Sequence, residues 1–223
     1  MNLLIHGYPH SGTTLLRKII GSVESIYEVP NEGHIITDDI ISKANGKHIA
    51  IKFPFSYTSF YTPEYDNFIK IFIIRNPYYI YSSMNKRFNN NIPENHSIER
   101  CIKMLSNFIY YRDIEKVKRA FFIKYEELFD NNFYVIRKIF EMLKVPYTND
   151  IFINKNVKEY TEIPSECGFI NEPYRQWQLQ QPYEYKDIER PVYLTKQQLE
   201  ILDNSSIVKK IGYTRPATVH IIE

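Results

Sequence analysis

The residues best suited to chemistry lie near the N-terminus, in the glycine-containing segment Gly7–Thr14. A short apolar run, Leu3–His6, precedes this segment, and a helical pattern begins at Gly12. Two glycines separated by four residues, followed by two threonines, form the pattern of a phosphate-binding loop. Backbone N–H groups and the positive end of the helix dipole converge on an anion in such a loop. The residues expected to contact the anion are Pro9, His10, Ser11, Gly12, Thr13 and Thr14.

Thr13 stands where nucleoside triphosphatases with this loop carry a lysine that reaches the β- and γ-phosphates. Without that lysine, hydrolysis of ATP or GTP loses its main cationic contact. The loop keeps the groups that bind a 5′-phosphate, so the sequence favours phosphate binding over triphosphate hydrolysis. A tight turn that joins a strand to a helix and binds no ligand is the alternative.

Arg75 directly follows the apolar run Ile69–Ile74. Phosphoryl-transfer enzymes with this loop carry an aspartate there, which helps to hold Mg²⁺. A fixed cation at this position argues against a metal and for contact with a second anionic group. Ser83, eight residues later, is expected at the start of a helix, where it and Arg75 would bracket one phosphate. The alternative is that Arg75 makes a structural ion pair and Ser83 caps the helix.

Short apolar runs alternate with amphipathic helical patterns, which is typical of an α/β domain with a largely parallel sheet. The predicted strands are Leu3–His6, Ile49–Phe53, Ile69–Ile74 and Ala120–Lys124. The predicted helices are Gly12–Ile20, Ser97–Lys118, Asn132–Leu143 and a last helix from a capping box at Thr195 to Ile211. We therefore expect residues 1–223 to form a single P-loop-type domain of three layers, with a central, largely parallel sheet flanked by helices.

The overall composition excludes several classes of protein. Lys and Arg number 28 against 26 Asp and Glu, so the net charge of +2 is too small for a chain that coats nucleic acid or an anionic membrane. No apolar stretch approaches the length of a membrane span. The 2 cysteines and 6 histidines show neither a disulfide framework nor a metal-ligand spacing. We expect a reduced, cytoplasmic protein with no metal and no nucleic-acid or membrane partner.

The loop and the Arg75–Ser83 spacing together resemble the sulfotransferase family that uses 3′-phosphoadenosine-5′-phosphosulfate (PAPS). Residues 8–16 look like the 5′-phosphosulfate loop of that family, and Arg75 with Ser83 looks like its 3′-phosphate element. The elements occur in the family's order and cover most of the chain. The resemblance implies PAPS as the cofactor and 3′-phosphoadenosine-5′-phosphate (PAP) as its product.

Two later segments extend the resemblance. Residues 123–128 are similar to the family's strand-end Tyr-Glu-x-Leu segment, whose tyrosine, here Tyr125, lies near the nucleotide. Residues 175–177, which begin with Arg175, and the later pair at 212–213 look like the Arg-x-Trp and Gly-Tyr pattern of bacterial members. The resemblance therefore implies that Tyr125 and Arg175 contribute to the nucleotide site.

The resemblance also implies residues for the transfer itself. Residues 52–55 resemble the Lys-x-Pro-Phe element of the tyrosylprotein branch, whose lysine, here Lys52, stabilises the transferring group. Residues 31–36 resemble that branch's Glu-containing loop after the first helix, so Glu32 is the predicted base and His34 its substitute. His10 replaces the lysine or arginine usual in the family, and the charge of an imidazole is conditional near neutral pH.

The sequence thus predicts in-line transfer of a sulfuryl group from PAPS to a hydroxyl acceptor without a metal ion. Lys52, His10 and the loop would hold the sulfonate, and Glu32 would take the acceptor proton. The acceptor stays open between a small molecule, a carbohydrate and a peptidyl tyrosine. The alternatives are a catalytically weak or inactive module that binds PAPS or PAP, and a P-loop kinase, against which Thr13 and Arg75 count.

Overall fold

Five parallel strands form the central sheet of the protein. The computed structural model describes residues 1–32, 36–54, 65–115, 117–152 and 190–223, with the backbone alone at residues 31, 32 and 54. The strands of the central sheet are β1 (Leu3–Gly7), β2 (Ile26–Glu32), β3 (His48–Pro54), β4 (Ile69–Ile74) and β5 (Ala120–Lys124). A small parallel sheet near the C-terminus consists of β6 (Val192–Thr195) and β7 (Val219–Ile222).

Helices follow most of the strands, and the chemistry of their first residues explains where they begin. They are α1 (Thr13–Gly21), α2 (Asp38–Ala44), α3 (Pro77–Phe88), α4 (Ile98–Ile109), α5 (Tyr134–Leu143), α6 (Lys196–Asn204) and α7 (Ser206–Ile211). Helix α3 has Pro77 in its first turn, and the Asn76 side chain caps it by accepting a hydrogen bond from the backbone N–H of Tyr78. Thr195 and Gln198 form the predicted capping box at α6.

Strand β4 shows how the sheet separates two apolar cores. Ile69, Ile71 and Ile73 pack with apolar side chains of α1 and α5, whereas Phe72 and Ile74 pack with those of α3 and α4. Successive side chains of a strand point to opposite faces, so both faces of β4 are covered by helices. A strand buried on both faces is expected to be mostly apolar, and β4 is apolar at every position except the buried Lys70.

The order of strands in the central sheet is β2-β3-β1-β4-β5. The chain leaves β1 for β2 and β3 on one side and then crosses to β4 and β5 on the other. Ligands of parallel α/β sheets bind at the carboxyl ends of the strands, where the strand order reverses in this way. The loop after β1, the end of β3 and the residues after β4 therefore meet at one edge of the sheet.

The predicted fold class is confirmed, and the four predicted strands agree with the structure to within one residue at each end. Strand β2 was not predicted. It contains Pro30, which is tolerated because β2 lies at the edge of the sheet, and its pairing with β3 shifts register between Glu28 and Glu32. Helix α2 and the small C-terminal sheet were also not predicted. The single-domain organisation stays a prediction.

Two predicted helices are shorter than expected. The helix expected over Ser97–Lys118 is α-helical only to Ile109 and continues as π-helical turns over Tyr110–Glu115. The last helix is divided at Ser205, whose hydroxyl oxygen caps α7 by accepting a hydrogen bond from the backbone N–H of Val208. No helix in the described part of the chain is both long and apolar enough to cross a membrane.

Candidate functional site

The loop between β1 and α1 contacts neighbouring strands closely at both of its glycines. A Cβ atom on Gly7 would lie 2.6 Å from the carbonyl oxygen of Ile73 in β4. Gly12 has a φ of +94°, and a Cβ atom there would lie 2.4 Å from Cδ2 of Tyr125. Gly12 is also the N-cap of α1, and no described side chain caps this helix. The first N–H groups of α1 therefore face the loop, as an anion site requires.

Lys52 extends from β3 to the first turn of α1. Its Nζ donates a hydrogen bond of 3.1 Å to Oγ1 of Thr14, and the residue is only 5% exposed. Because β3 pairs directly with β1, this ammonium group lies beside the glycine loop. A buried cation at a helix N-terminus is well placed to stabilise negative charge that develops on a ligand.

Arg75 reaches the same loop from the other side of β1. Its NH1 donates a hydrogen bond of 2.9 Å to the backbone carbonyl of His10, and its guanidinium group stacks over the Tyr125 ring at 4.4 Å from the centroid. Tyr125 follows β5 and packs beneath Gly12. The end of β5 thus supports both the loop and the arginine, which keeps the Arg75 guanidinium group directed at the site.

Ser83 lies inside α3, which begins at Pro77, so the expectation that it starts a helix is wrong. Asn76 provides the cap, which also rules out the capping role considered for Ser83. The Ser83 hydroxyl lies 2.8 Å from Nδ1 of His10, across the gap between α3 and the loop. Ser83 therefore faces the loop together with Arg75, although from a different part of its helix than predicted.

His10 is half-buried, and its Nε2 atom is inaccessible to solvent. Burial lowers the pKa of its imidazole well below 6.5, and the positive charges of Arg87, Arg75, His96 and Lys52 lower that pKa further. The ring is therefore neutral near neutral pH, which corrects the conditional charge expected from the sequence. The alternative that the sequence leaves open for His10, an exposed loop imidazole, is therefore wrong. A neutral imidazole has one N–H donor and one acceptor nitrogen for its neighbours.

A half-buried carboxylate, to which the sequence pattern assigns no role, fixes the turn after β4. Glu126 accepts a hydrogen bond of 2.8 Å from the backbone N–H of Asn76 and one of 3.1 Å from the Tyr213 hydroxyl. The Asn76 side chain in turn donates to the backbone carbonyl of Thr214. Burial raises the pKa of Glu126, and this effect is larger than the lowering of that pKa by the hydrogen bonds and by the charge of the nearby Arg75. The strand-end Tyr-Glu-x-Leu segment and the C-terminal Gly-Tyr pair thus meet behind Arg75.

The remaining predicted residues are only partly described. Glu32 is the last residue of β2 and lies opposite Lys52 in the pairing of β2 with β3, so it belongs to a strand and not to a loop. His34 and Arg175 lie outside the described residues. The roles predicted for Glu32, His34 and Arg175 stay predictions.

The described geometry offers two places for negatively charged groups. One is the N-terminus of α1 beside Lys52, and the other lies between Arg75 and Ser83. Among the residues that the structure describes, no group of three His, Cys, Asp or Glu side chains could hold a metal ion. The chemistry available in this part of the chain is that of binding and polarising anions with fixed cations and hydrogen-bond donors.

Searches with protein-family models and against curated proteins find no match for this sequence. Solved structures do match. A crystal structure of mouse sulfotransferase SULT7A1 complexed with PAP aligns with a TM-score of 0.58 at 17% sequence identity, over 96% of this chain and 89% of that chain. The sulfotransferase domain of the Synechococcus PCC 7002 olefin synthase aligns with a TM-score of 0.53 at 14% identity, over 96% and 95% of the two chains. The chain has the sulfotransferase fold.

The sulfotransferase fold confirms the resemblance predicted from the motifs. Each alignment covers nearly the whole length of this chain and of the solved structure, so the similarity is not limited to the glycine loop. At these identities the likeness establishes the arrangement of strands and helices, and the function has to be inferred from the side chains at the site.

Proposed function

We propose that the protein transfers a sulfuryl group from PAPS to a hydroxyl acceptor and releases PAP. The observation that carries the proposal is the convergence of the glycine loop, Lys52, Arg75 and Ser83 at the carboxyl edge of one parallel sheet. The same fold in a mouse sulfotransferase complexed with PAP supports it.

The two anion positions suit a nucleotide that carries negative charge at two separate places. The N-terminus of α1 would bind the 5′-phosphosulfate through its backbone N–H groups. Arg75 and Ser83 would bind the 3′-phosphate, because a guanidinium group and a hydroxyl together satisfy several phosphate oxygens. ATP has all its phosphates in one chain, so it would leave the second position without a ligand group.

When bound, PAPS supplies the sulfuryl group, which passes to the acceptor oxygen as the bond between sulfur and the phosphate oxygen breaks. Lys52 would stabilise the charge that gathers on the sulfonate and leaving oxygens, since its ammonium group lies at the N-terminus of α1. Glu32, opposite Lys52 in the sheet, would accept the proton of the acceptor hydroxyl. His10 would contribute a hydrogen bond from its neutral ring. The proposed reaction uses no metal ion.

The acceptor class stays open between a small molecule, a carbohydrate and a peptidyl tyrosine. A second candidate function is a PAP-binding module with little or no turnover, which the neutral state of His10 favours. A lysine or arginine at that position would add a positive charge to the loop, whereas burial and neighbouring cations keep the His10 imidazole uncharged. A kinase activity is disfavoured, because Thr13 cannot supply the cation that reaches the β- and γ-phosphates.

Two measurements test the proposal. The first compares the binding of PAP with that of ATP, both without Mg²⁺, by titration calorimetry, and tighter binding of PAP is expected. The second measures the transfer of radiolabelled sulfate from PAPS to phenols, sugars and tyrosine-containing peptides. Transfer to any one acceptor class supports the enzyme, and PAP binding without transfer supports the binding module. A protein that binds ATP as tightly as PAP does not have the proposed function.

A further inference from the structure

One turn beyond Ser83 on α3 lies an arginine to which the sequence analysis gave no role. Residues four apart on a helix lie on the same face, so Arg87 is on the side of α3 from which Ser83 contacts the loop. Lys86, its immediate neighbour, is exposed to solvent, whereas Arg87 is half-buried. The Arg87 guanidinium group lies 5.1 Å from the centroid of the Phe88 ring, which limits the positions that it can take.

The pKa of His10 is consistent with the position of Arg87 on the face of α3 that contacts the loop. Among the charged neighbours that lower the pKa of His10, Arg87 has the largest effect, ahead of Arg75, His96 and Lys52. All four of these groups are basic. Two arginines thus act on His10: Arg75 donates a hydrogen bond to its backbone carbonyl, and the charge of Arg87, on α3, lowers the pKa of its ring. Positive charge from several elements of the chain therefore acts on this part of the loop, which favours the binding of an anion there.

The segment opposite α3 is held in place by two tyrosines. The Tyr8 and Tyr81 hydroxyls lie 3.1 Å apart, and they donate hydrogen bonds to the backbone carbonyls of Ser97 and His96, respectively. Tyr8 belongs to the glycine loop, so the loop, α3 and the segment around His96 form one connected unit. These hydrogen bonds fix the position of α3 relative to the glycine loop.

We propose that Arg87 is a further phosphate-binding residue, which together with Arg75 and Ser83 binds the 3′-phosphate of the nucleotide. This inference rests on the proposed function, because it assigns the residue to the nucleotide of that reaction. Arg75 follows the end of β4, and Arg87 lies in the last turn of α3. A phosphate dianion between them can accept hydrogen bonds from both guanidinium groups and from the serine hydroxyl. Two fixed arginines also supply charge that the neutral His10 does not.

The test compares Arg87→Gln with Lys86→Gln, two variants that remove the same charge from adjacent positions. Each is titrated with PAP and with adenosine 5′-phosphate, which lacks the 3′-phosphate. For Arg87→Gln we expect the Kd for PAP to rise about tenfold or more, with little change for adenosine 5′-phosphate. For Lys86→Gln we expect both Kd values to stay within about twofold of the wild type, since this side chain is exposed. Arg87→Lys keeps the charge but loses the planar guanidinium group, so its Kd for PAP should lie between those of the wild type and Arg87→Gln.

A second readout needs no ligand and shows whether each variant is folded. Proton NMR of the imidazole follows the titration of His10, and Arg87→Gln should raise the pKa of His10 while Lys86→Gln should not. The inference about Arg87 is overturned if Arg87→Gln weakens the binding of PAP and of adenosine 5′-phosphate equally, or if Arg87→Gln and Lys86→Gln have the same Kd values. Either result leaves the proposed function standing. A wild-type protein that prefers PAP no more than adenosine 5′-phosphate overturns the assignment of a 3′-phosphate site, and the proposed function with it.

Discussion

The two sides of the glycine loop are built in different ways. On one side, which we call the arginine flank, Arg75 and Ser83 both contact His10, one through its backbone carbonyl and the other through its ring. On the other side, which we call the lysine flank, Lys52 donates a hydrogen bond to Thr14 in the first turn of α1. The strand next to β3 ends at Glu32 after a shift of register.

This difference indicates a division of labour. The arginine flank comes from one stretch of chain, β4 and α3, so its geometry is largely fixed by local structure. The lysine flank needs the pairing of β3 with both β1 and β2, and the last pairing is irregular. We expect substitutions on the arginine flank to change nucleotide affinity, and substitutions on the lysine flank to change the rate of transfer.

The largest expected effect is on the lysine flank. Lys52→Ala should lower kcat for sulfuryl transfer by about 10²- to 10³-fold, because it removes a preorganised cation from the transferring group. The Kd for PAP should change much less, since PAP carries no sulfonate. The exposed Lys47→Ala, just before β3, serves as the control and should leave kcat unchanged. A large loss of PAP affinity with an unchanged kcat would place Lys52 on the nucleotide instead.

The next effect is on the arginine flank. Arg75→Ala should weaken PAP binding by about 1.5 to 3 kcal/mol, the usual loss for a charge-assisted hydrogen bond, and should weaken binding of adenosine 5′-phosphate far less. Titration calorimetry with both nucleotides measures the difference. The control Arg100→Ala removes an exposed arginine on α4 and should alter neither affinity. If Arg75→Ala weakens the binding of both nucleotides equally, Arg75 stabilises the loop and does not bind a 3′-phosphate.

Behind the arginine flank, Glu126→Ala should reduce the free energy of unfolding by on the order of 1 to 3 kcal/mol. It leaves the N–H of Asn76 and the Tyr213 hydroxyl without their acceptor. The matched substitution Glu127→Ala, at the adjacent exposed position, should cost far less. Urea unfolding of both variants measures the difference in their free energies of unfolding. Equal values would mean that Glu126 does not stabilise this turn.

The smallest effect concerns the pH dependence of His10. Burial lowers its pKa in the folded protein, so the unfolded chain binds the proton first as the pH falls below about 6.5. Stability should therefore decrease from about pH 6.5 downward to the folded pKa, by at most about 1.4 kcal/mol per pH unit from this group. Urea unfolding at pH 7.5 and 5.5 measures this effect. The free energy of unfolding should decrease less between these two pH values in His10→Gln than in the wild type. Identical decreases would mean that His10 titrates normally.

Much of the arginine flank could be predicted because its signals are local. Gly7 and Arg75 lie at the ends of strands whose apolar runs are clear in the sequence, and Gly12 directly precedes the first helical pattern. The position of Ser83 within α3 was predicted wrongly, because Asn76 followed by Pro77 is the stronger signal for the start of a helix. The four-residue spacing from Ser83 to Arg87 was visible, but it had no meaning until α3 was known to face the loop.

The lysine flank and the support behind Arg75 depend on contacts between distant parts of the chain. Strand β2 lacks a regular apolar alternation because it is irregularly paired and contains Pro30. The hydrogen bond between Glu126 and Tyr213 joins residues 87 positions apart, and nothing in either local pattern specifies it. The lowered pKa of His10 likewise depends on burial and on charges from several elements, which a sequence pattern does not report.

The packing of Gly12 against Tyr125 has a consequence for how relatives of this protein would diverge. The positive φ and the ring next to Gly12 exclude any larger residue, whether or not a nucleotide is ever bound. A descendant that lost its enzymatic role would therefore keep the glycine for the sake of folding, while Arg75 and Ser83 would be free to drift. Among distant relatives, conservation of the arginine–serine spacing would thus indicate selection for ligand binding. Conservation of the glycines alone would indicate only that the fold is retained.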